Sequence, residues 1–213
     1  MFRVLVILSS IGFAFLVLFF SIFRTSAPKY AFYQPSFQGP QATFSANINY
    51  DLPEAGLGPD SPFWVIKAAR DKVWLLTSGN PTRRSELLLL FADKRLSQAK
   101  RLLEEGNIEL GIATAIHAEQ YLMNAYEAEN DAYAQGMDTI GLAQSLARAS
   151  LKHREVLEYC ASFVPSDAKP TLFQTIDISK EVYEKSVQRL NEKGKSFPDS
   201  YSTPVETQEN KVD

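Results

Sequence analysis

Cysteine is nearly missing from this 213-residue chain, and histidine is almost as scarce. A single cysteine, Cys160, excludes any internal disulfide, so the fold has to rest on packing alone. Within a helical pattern that residue reads as a small buried hydrophobe. A domain without disulfides can live on either side of a membrane, so the compartment stays open. The two histidines, His117 and His153, both fall inside predicted helices. Neither has the Glu three residues earlier that a di-iron helical bundle uses: Thr114 and Ser150 stand there instead. His117 and Glu119 are badly spaced for joint ligation on a helix. His153 and Cys160 share a face but lie two turns, roughly 10 Å, apart, too far for a nucleophile and its base. The glycines are scattered, with no run that could cradle a phosphate. No catalytic, cofactor-binding or metal-ligating residue is assigned, and no cofactor is expected.

Positive charge is also in short supply. Leaving out Arg3 and Arg24, the chain carries 20 basic against 25 acidic side chains. Contacts to a nucleic-acid backbone rest on clustered Lys and Arg, so DNA and RNA are not expected as partners. Alternation of period two is missing as well, which excludes a sheet and leaves an all-α fold class.

What the sequence does have is one long apolar run. From Val4 to Phe23 there are 20 residues without charge or proline, set between Arg3 and Arg24. At about 1.5 Å per residue they reach roughly 30 Å, the thickness of a bilayer core. A cleaved signal peptide is the rival, but its apolar region is usually about 7–15 residues long. The best small-residue site, Thr25-Ser26-Ala27, is followed by Pro28, and no cysteine follows the run to make a lipoprotein. A retained signal anchor over residues 1–24 is the expectation. Arg3 and the α-amine nearly balance Arg24 and Lys29, so charge alone does not orient it. The usual outcome for a short N-terminus places the following domain outside the cytoplasm.

Residues 25–57 read as a linker, with Pro28, Pro35, Pro40 and Pro53 opposing helix formation. Its first aromatics, Tyr30, Phe32 and Tyr33, suit the headgroup region, and Phe37, Phe44 and Tyr50 are expected to pack on the domain; a docking strand for another protein is the alternative. The domain, residues 58–194, opens with Asp60 and Ser61 as candidate caps and Pro62 in a first turn. Phe63, Ile66, Arg70, Val73 and Thr77 follow at helical spacing, to a stop at Ser78-Gly79. Asn80-Pro81 restarts a helix that runs to about Glu105, and Gly106-Asn107 breaks it. A third helix fades near Gln135-Gly136, its end from Tyr126 to Tyr133 expected as a long arm. Asp138 or Thr139 caps a fourth, Pro165 and Pro170 bracket a loop, and a fifth runs from about Thr171 to Glu192. Residues 195–213 read as a disordered tail. The whole is a single transmembrane helix followed by an antiparallel bundle of about four to five helices.

The carboxylates Glu104, Glu105, Glu109, Glu119, Glu127, Glu129 and Asp131 read as solvated helix faces. Arg83 and Arg84 lie in the first turn of a helix, where the dipole disfavours cations, so a pairing with Asp71 or Glu86 is expected. Lys67, Arg70, Asp71 and Lys72 form a charged, solvent-facing side of the first helix opposite Phe63 and Val73. Trp64 and Trp74 point about 80° apart on an ideal helix and pack between helices rather than forming one platform.

The stretch from Leu57 to about Tyr126 resembles a bacterial domain of unknown function found in membrane-anchored proteins. The likeness rests on Pro59, Asp60, Pro62, Phe63, Trp64 and Lys67, then on Arg84, Glu86, Leu87, Ala92, Asp93, Arg95, Leu96 and Ala99. Trp64 stands where Tyr is common and Gln98 where Glu is common. The resemblance implies an extracytoplasmic helical module without known catalysis, related to the ectodomains of anti-sigma-type regulators. With three residues ahead of the apolar run, the chain is not expected to carry the cytoplasmic half of such a regulator. The leading expectation is a non-enzymatic, membrane-anchored module with a protein partner in the cell envelope. A sensor or regulatory ectodomain working with a separate membrane transducer is the alternative; an enzyme or carrier with a site between helices comes third.

Overall fold

The computed structural model describes residues 48, 50–56, 58–61, 63–195 and 197. The apolar run at residues 4–23, the linker expectations at residues 25–47 and, apart from residues 195 and 197, the tail expected over 195–213 lie outside them. No helix among the described residues is long and apolar enough to cross a membrane. Those residues form five helices and no strand: α1 Trp64–Thr77, α2 Pro81–Glu104, α3 Ile108–Ala134, α4 Ile140–Phe163 and α5 Lys169–Glu192. The all-α expectation holds.

Local chemistry explains most of the boundaries. Asn80 Oδ1 accepts from the N–H groups of Thr82 (2.9 Å) and Arg83 (3.3 Å), and Pro81 occupies the first turn of α2. The same helix ends at Gly106, whose φ of 81° only glycine adopts freely. There the Asn107 and Gly106 amides satisfy the carbonyls of Leu102 and Leu103, a Schellman ending. At α4 the cap bond comes from Asp138, whose Oδ1 accepts from Ile140 N–H at 3.1 Å; Thr139 makes none. α5 starts two residues before Thr171, because Pro170 is accommodated within the first helical turn and does not close the loop. α1 has no side-chain cap at all. Asp60, expected there, pairs instead with Arg101 at 2.8 Å.

Four long helices joined by loops of three to five residues must double back, and they do so as two hairpins. In the first, Ser85 donates to the Ala125 carbonyl, and Phe91 meets Tyr121 edge-on with ring centres 6.0 Å apart. Near the loop α3 comes so close that a Cβ on Gly111 would sit 2.6 Å from Leu103 Cγ. The second hairpin, α4 and α5, lies beside the first in parallel register. α2 faces α4, with Asp93 opposite His153, 60 residues on. α3 faces α5, with Glu119 opposite Ser179 at a separation of 60 and Asn130 opposite Arg189 at 59. The Tyr- and Ala-rich end of α3 is therefore no arm: Ala125, Ala128 and Ala132 are buried in the bundle.

Two apolar clusters fill the interior. One gathers Leu96, Leu103, Ala118, Leu157, Cys160 and Leu172 at the end near the α2–α3 loop. The other gathers Leu88, Ala92, Leu122, Ala125, Leu146 and Val182. Cys160 is buried in the first, as expected, and burial pushes its thiol up to about 12.

Outside the bundle, an extended strap runs along α2. Tyr50 Oη donates to Asp93, Ser97 Oγ to the Pro53 carbonyl at 2.7 Å, and Gln98 Nε2 to the Ala55 carbonyl at 2.7 Å. Leu52 packs on the first apolar cluster and Tyr50 on the second, so this part of the linker segment packs on the domain.

α1 reverses its expected orientation. Among the helices its backbone approaches α2, and the one residue it buries is Asp71, read from sequence as part of a solvent-facing side. Phe63, Val65, Ile66, Val73 and Leu76 are exposed, Leu76 by 79%. Trp64 and Trp74 turn toward the inner side and are half-buried, beneath Arg95 and Arg70 respectively. Asp71 is paired with Arg70 at 2.8 Å. Periodicity identified which residues share a face; it could not identify which face meets the bundle.

Candidate functional site

Between the two apolar clusters lies a layer of buried polar side chains to which each bundle helix contributes one member, three of them ionisable. His153 on α4 is fully buried at its centre. Its Nδ1 lies 2.7 Å from Glu119 Oε1 on α3, and its Nε2 lies 3.1 Å from Asp93 Oδ1 on α2. The remaining carboxylate oxygens are also held. Ser179 Oγ on α5 donates to Glu119 Oε2 at 2.7 Å, and Tyr50 Oη on the strap donates to Asp93 Oδ2 at 2.6 Å.

The geometry sets the charge. Each ring nitrogen faces a carboxylate oxygen, and with both carboxylates ionised both contacts are hydrogen bonds when both nitrogens carry hydrogen, that is, in the imidazolium form. Burial is the largest single influence on His153 and by itself would lower its pKa. The charge of Glu119 and the bonds to Asp93 and Glu119 outweigh it and raise the value from 6.5 to about 9. Burial and the Asp93 carboxylate beside it push the Tyr50 phenol well above its ordinary value, which keeps it a donor. One cation between two anions, with two hydroxyl donors completing the shell, makes a buried polar group without an unsatisfied member.

This arrangement corrects the reading of Glu119 as a solvated face: it is wholly buried. Glu129 is buried too, 3.7 Å from Arg189, and burial raises its pKa. Arg189 stacks on Tyr133 at 3.6 Å and donates to Asn130 at 2.6 Å. The other carboxylates of that set, Glu104, Glu105, Glu109, Glu127 and Asp131, are exposed. His117 is exposed and contacts Gln120 at 3.1 Å. Arg83 pairs with Glu86 at 3.0 Å, as expected of a cation in a first helical turn.

The buried group had a signal in the sequence that went unread. Asp93, Glu119 and His153 each sit on an apolar stripe, with Leu89 and Leu96, Ala115 and Leu122, and Ala149 and Val156 three or four residues away. A charged residue on such a stripe needs a partner on a facing helix. No spacing rule pairs residues 34 or 60 apart, so the partners could not be named.

Chemically the centre is closed. Both nitrogens of His153 are engaged, which leaves the ring neither a lone pair nor a free N–H for a substrate. A cleft between α1 and the first hairpin is lined by Lys67, Asp71, Lys94, Arg95, Gln98 and Tyr121, with Phe91, and by none of Asp93, Glu119 or His153. It has about 10 Å³ of room, one water molecule at most. Burial lowers the pKa of Lys67, Lys94 and Arg95 there. Among the described residues, no group of three or more His, Cys, Asp or Glu side chains is disposed to hold a metal ion.

A family model described as Domain of unknown function (DUF5667) matches residues 56–167, just over half of the chain. The chain belongs to this family. The DUF5667 match takes in α1 to α4, and with them Asp93, Glu119 and His153. Tyr50 and Ser179, the two hydroxyl donors, lie outside it. No match is found among the curated proteins or the solved structures.

Proposed function

We propose that this DUF5667 protein is a non-enzymatic module, anchored through residues 4–23, that displays its helical bundle outside the cytoplasm and works through a protein partner in the envelope. The observation carrying this reading is the inward use of polar groups. The charges that could do chemistry at the centre are buried and spent on one another. The 20-residue apolar run ahead of the domain supports the address. The test is crosslinking in intact cells from a photoreactive residue on the exposed surface, with protease access before and after opening the outer layers. A discrete crosslinked envelope protein and protection by the cell boundary are expected. A domain digested only after the inner membrane is broken would contradict the location.

One observation favours a second reading, that of a sensor or regulatory ectodomain feeding a separate membrane transducer, in keeping with the likeness to anti-sigma-type ectodomains. The strap, which is the chain arriving from the proposed anchor, is fastened through Tyr50 to the buried charged centre. A change in that centre would therefore reach the membrane-proximal chain directly. Deletion of the protein altering a stress-dependent transcriptional response, restored by wild type and not by Tyr50→Phe, would favour this reading over a static scaffold.

A further inference from the structure

α1 carries most of the aliphatic surface that the bundle leaves uncovered. Of seven large hydrophobic residues exposed among the described residues, five lie between positions 63 and 76. Val65, Ile66, Val73 and Leu76 are exposed by 66%, 70%, 41% and 79%. At about 100° per residue, these four and Ala69 share an arc of roughly 100°, directed away from α2. Lys72 borders this arc on one side, about 20° beyond Val65, and Arg70 on the other, about 40° beyond Ile66. Asp71, the helix's only acidic residue, is turned inward. The outward side is thus an aliphatic stripe with a cation at each edge, on a domain whose overall charge is negative.

We infer that this face of α1 lies on the surface of a bilayer containing anionic lipid. Helices with this pattern sink their apolar arc into the boundary between headgroups and acyl chains, while flanking Lys and Arg reach lipid phosphates. Lys72 and Arg70 are both exposed, Arg70 while paired with Asp71, and both carry the sign that an anionic surface attracts; Lys67 faces the cleft instead. The source of lipid rests on the anchoring proposed above. Between Phe23 and Tyr50 there are 26 residues, which extended span at most about 90 Å, ample for a helix roughly 21 Å long to reach the same membrane. The contact would make α1 a second hold on the membrane.

The test uses the full chain reconstituted in vesicles of phosphatidylcholine alone or mixed with phosphatidylglycerol. Nitroxide labels are placed through Ile66→Cys, Leu76→Cys or, as a control on α5, Glu184→Cys, each with Cys160→Ala. Relaxation by oxygen and by a water-soluble nickel chelate reports depth. The expected result is a several-fold shielding from nickel at 66 and 76 in anionic vesicles. It should weaken in phosphatidylcholine and with Lys72→Glu, with no shielding at 184. Nickel access at 66 and 76 equal to that at 184 would overturn the inference, as would shielding that appears only after membrane protein extract is added. Equal shielding in both lipids would overturn the anionic preference. Flotation of the vesicles at alkaline pH reports the anchor separately: a chain stripped by alkali yet shielded at 76 would refute the anchor and keep the surface contact.

Discussion

The bundle and α1 treat charge in opposite ways. In the bundle, Leu96, Leu122 and Leu157 are wholly covered, and Asp93, Glu119 and His153 enter the core as one completed set. In α1 the aliphatic residues face outward while an aspartate faces in, toward the first hairpin. The bundle is stabilised by what it hides. α1 hides little, so its place on the domain depends on few contacts, and its exposed stripe calls for a surface that the bundle does not supply.

The contrast can be broken hardest at its buried end. His153→Ala leaves two carboxylates facing one another in the core, and removing one member of a buried ion set typically costs about 3–5 kcal/mol. Urea denaturation should show that loss; under about 1 kcal/mol would mean that the centre is hydrated or rearranges freely. Next in size is the pH response. The folded state holds the His153 proton more tightly than the unfolded chain, with pKa about 9 against 6.5. The centre therefore contributes fully below pH 6.5, and its contribution fades as pH rises toward 9. The loss is on the order of 3 kcal/mol. Denaturation midpoints measured across that window should fall in wild type and be flatter in His153→Gln. Tyr50→Phe removes one donor to Asp93 and should cost about 1.5–3 kcal/mol, the range for a hydrogen bond to a charged group. Faster proteolysis of the strap should accompany it. Smallest is the outward face: Leu76→Ser or Ile66→Ser should shift the denaturation midpoint of the detergent-solubilised protein by less than about 0.5 kcal/mol. A larger effect would show that the stripe is covered by its own domain.

The order and ends of the helices were legible because they are written in local chemistry. Asn80-Pro81, Gly106 and the stop after Thr77 are signals that operate within a few residues. Pro170 was misread because a proline that ends one helix is equally suited to begin the next. Burial was legible where a stripe is purely apolar, as at Leu96, Leu103 and Leu157. It was not legible where the buried residue is charged, because Glu119 and Glu129 look like any surface glutamate until a facing helix supplies Ser179 or Arg189. For α1 the difficulty is of another kind. Helical spacing groups Phe63, Ile66, Arg70, Val73 and Thr77 as one face and turns the opposite, charged side to solvent, but it leaves out Val65 and Leu76. Amphipathicity states that a face wants to be covered and is silent on the partner.

The most direct test of the charged centre is nitrogen NMR of the imidazole rings as a function of pH. The chain has two histidines, so the spectrum holds the buried His153 and the exposed His117 alone. With an imidazolium between Asp93 and Glu119, both His153 nitrogens should carry hydrogen at neutral pH, and the ring should lose its proton only near pH 9. A His153 ring that is a neutral tautomer at pH 7, or that titrates near 6.5, would contradict the account.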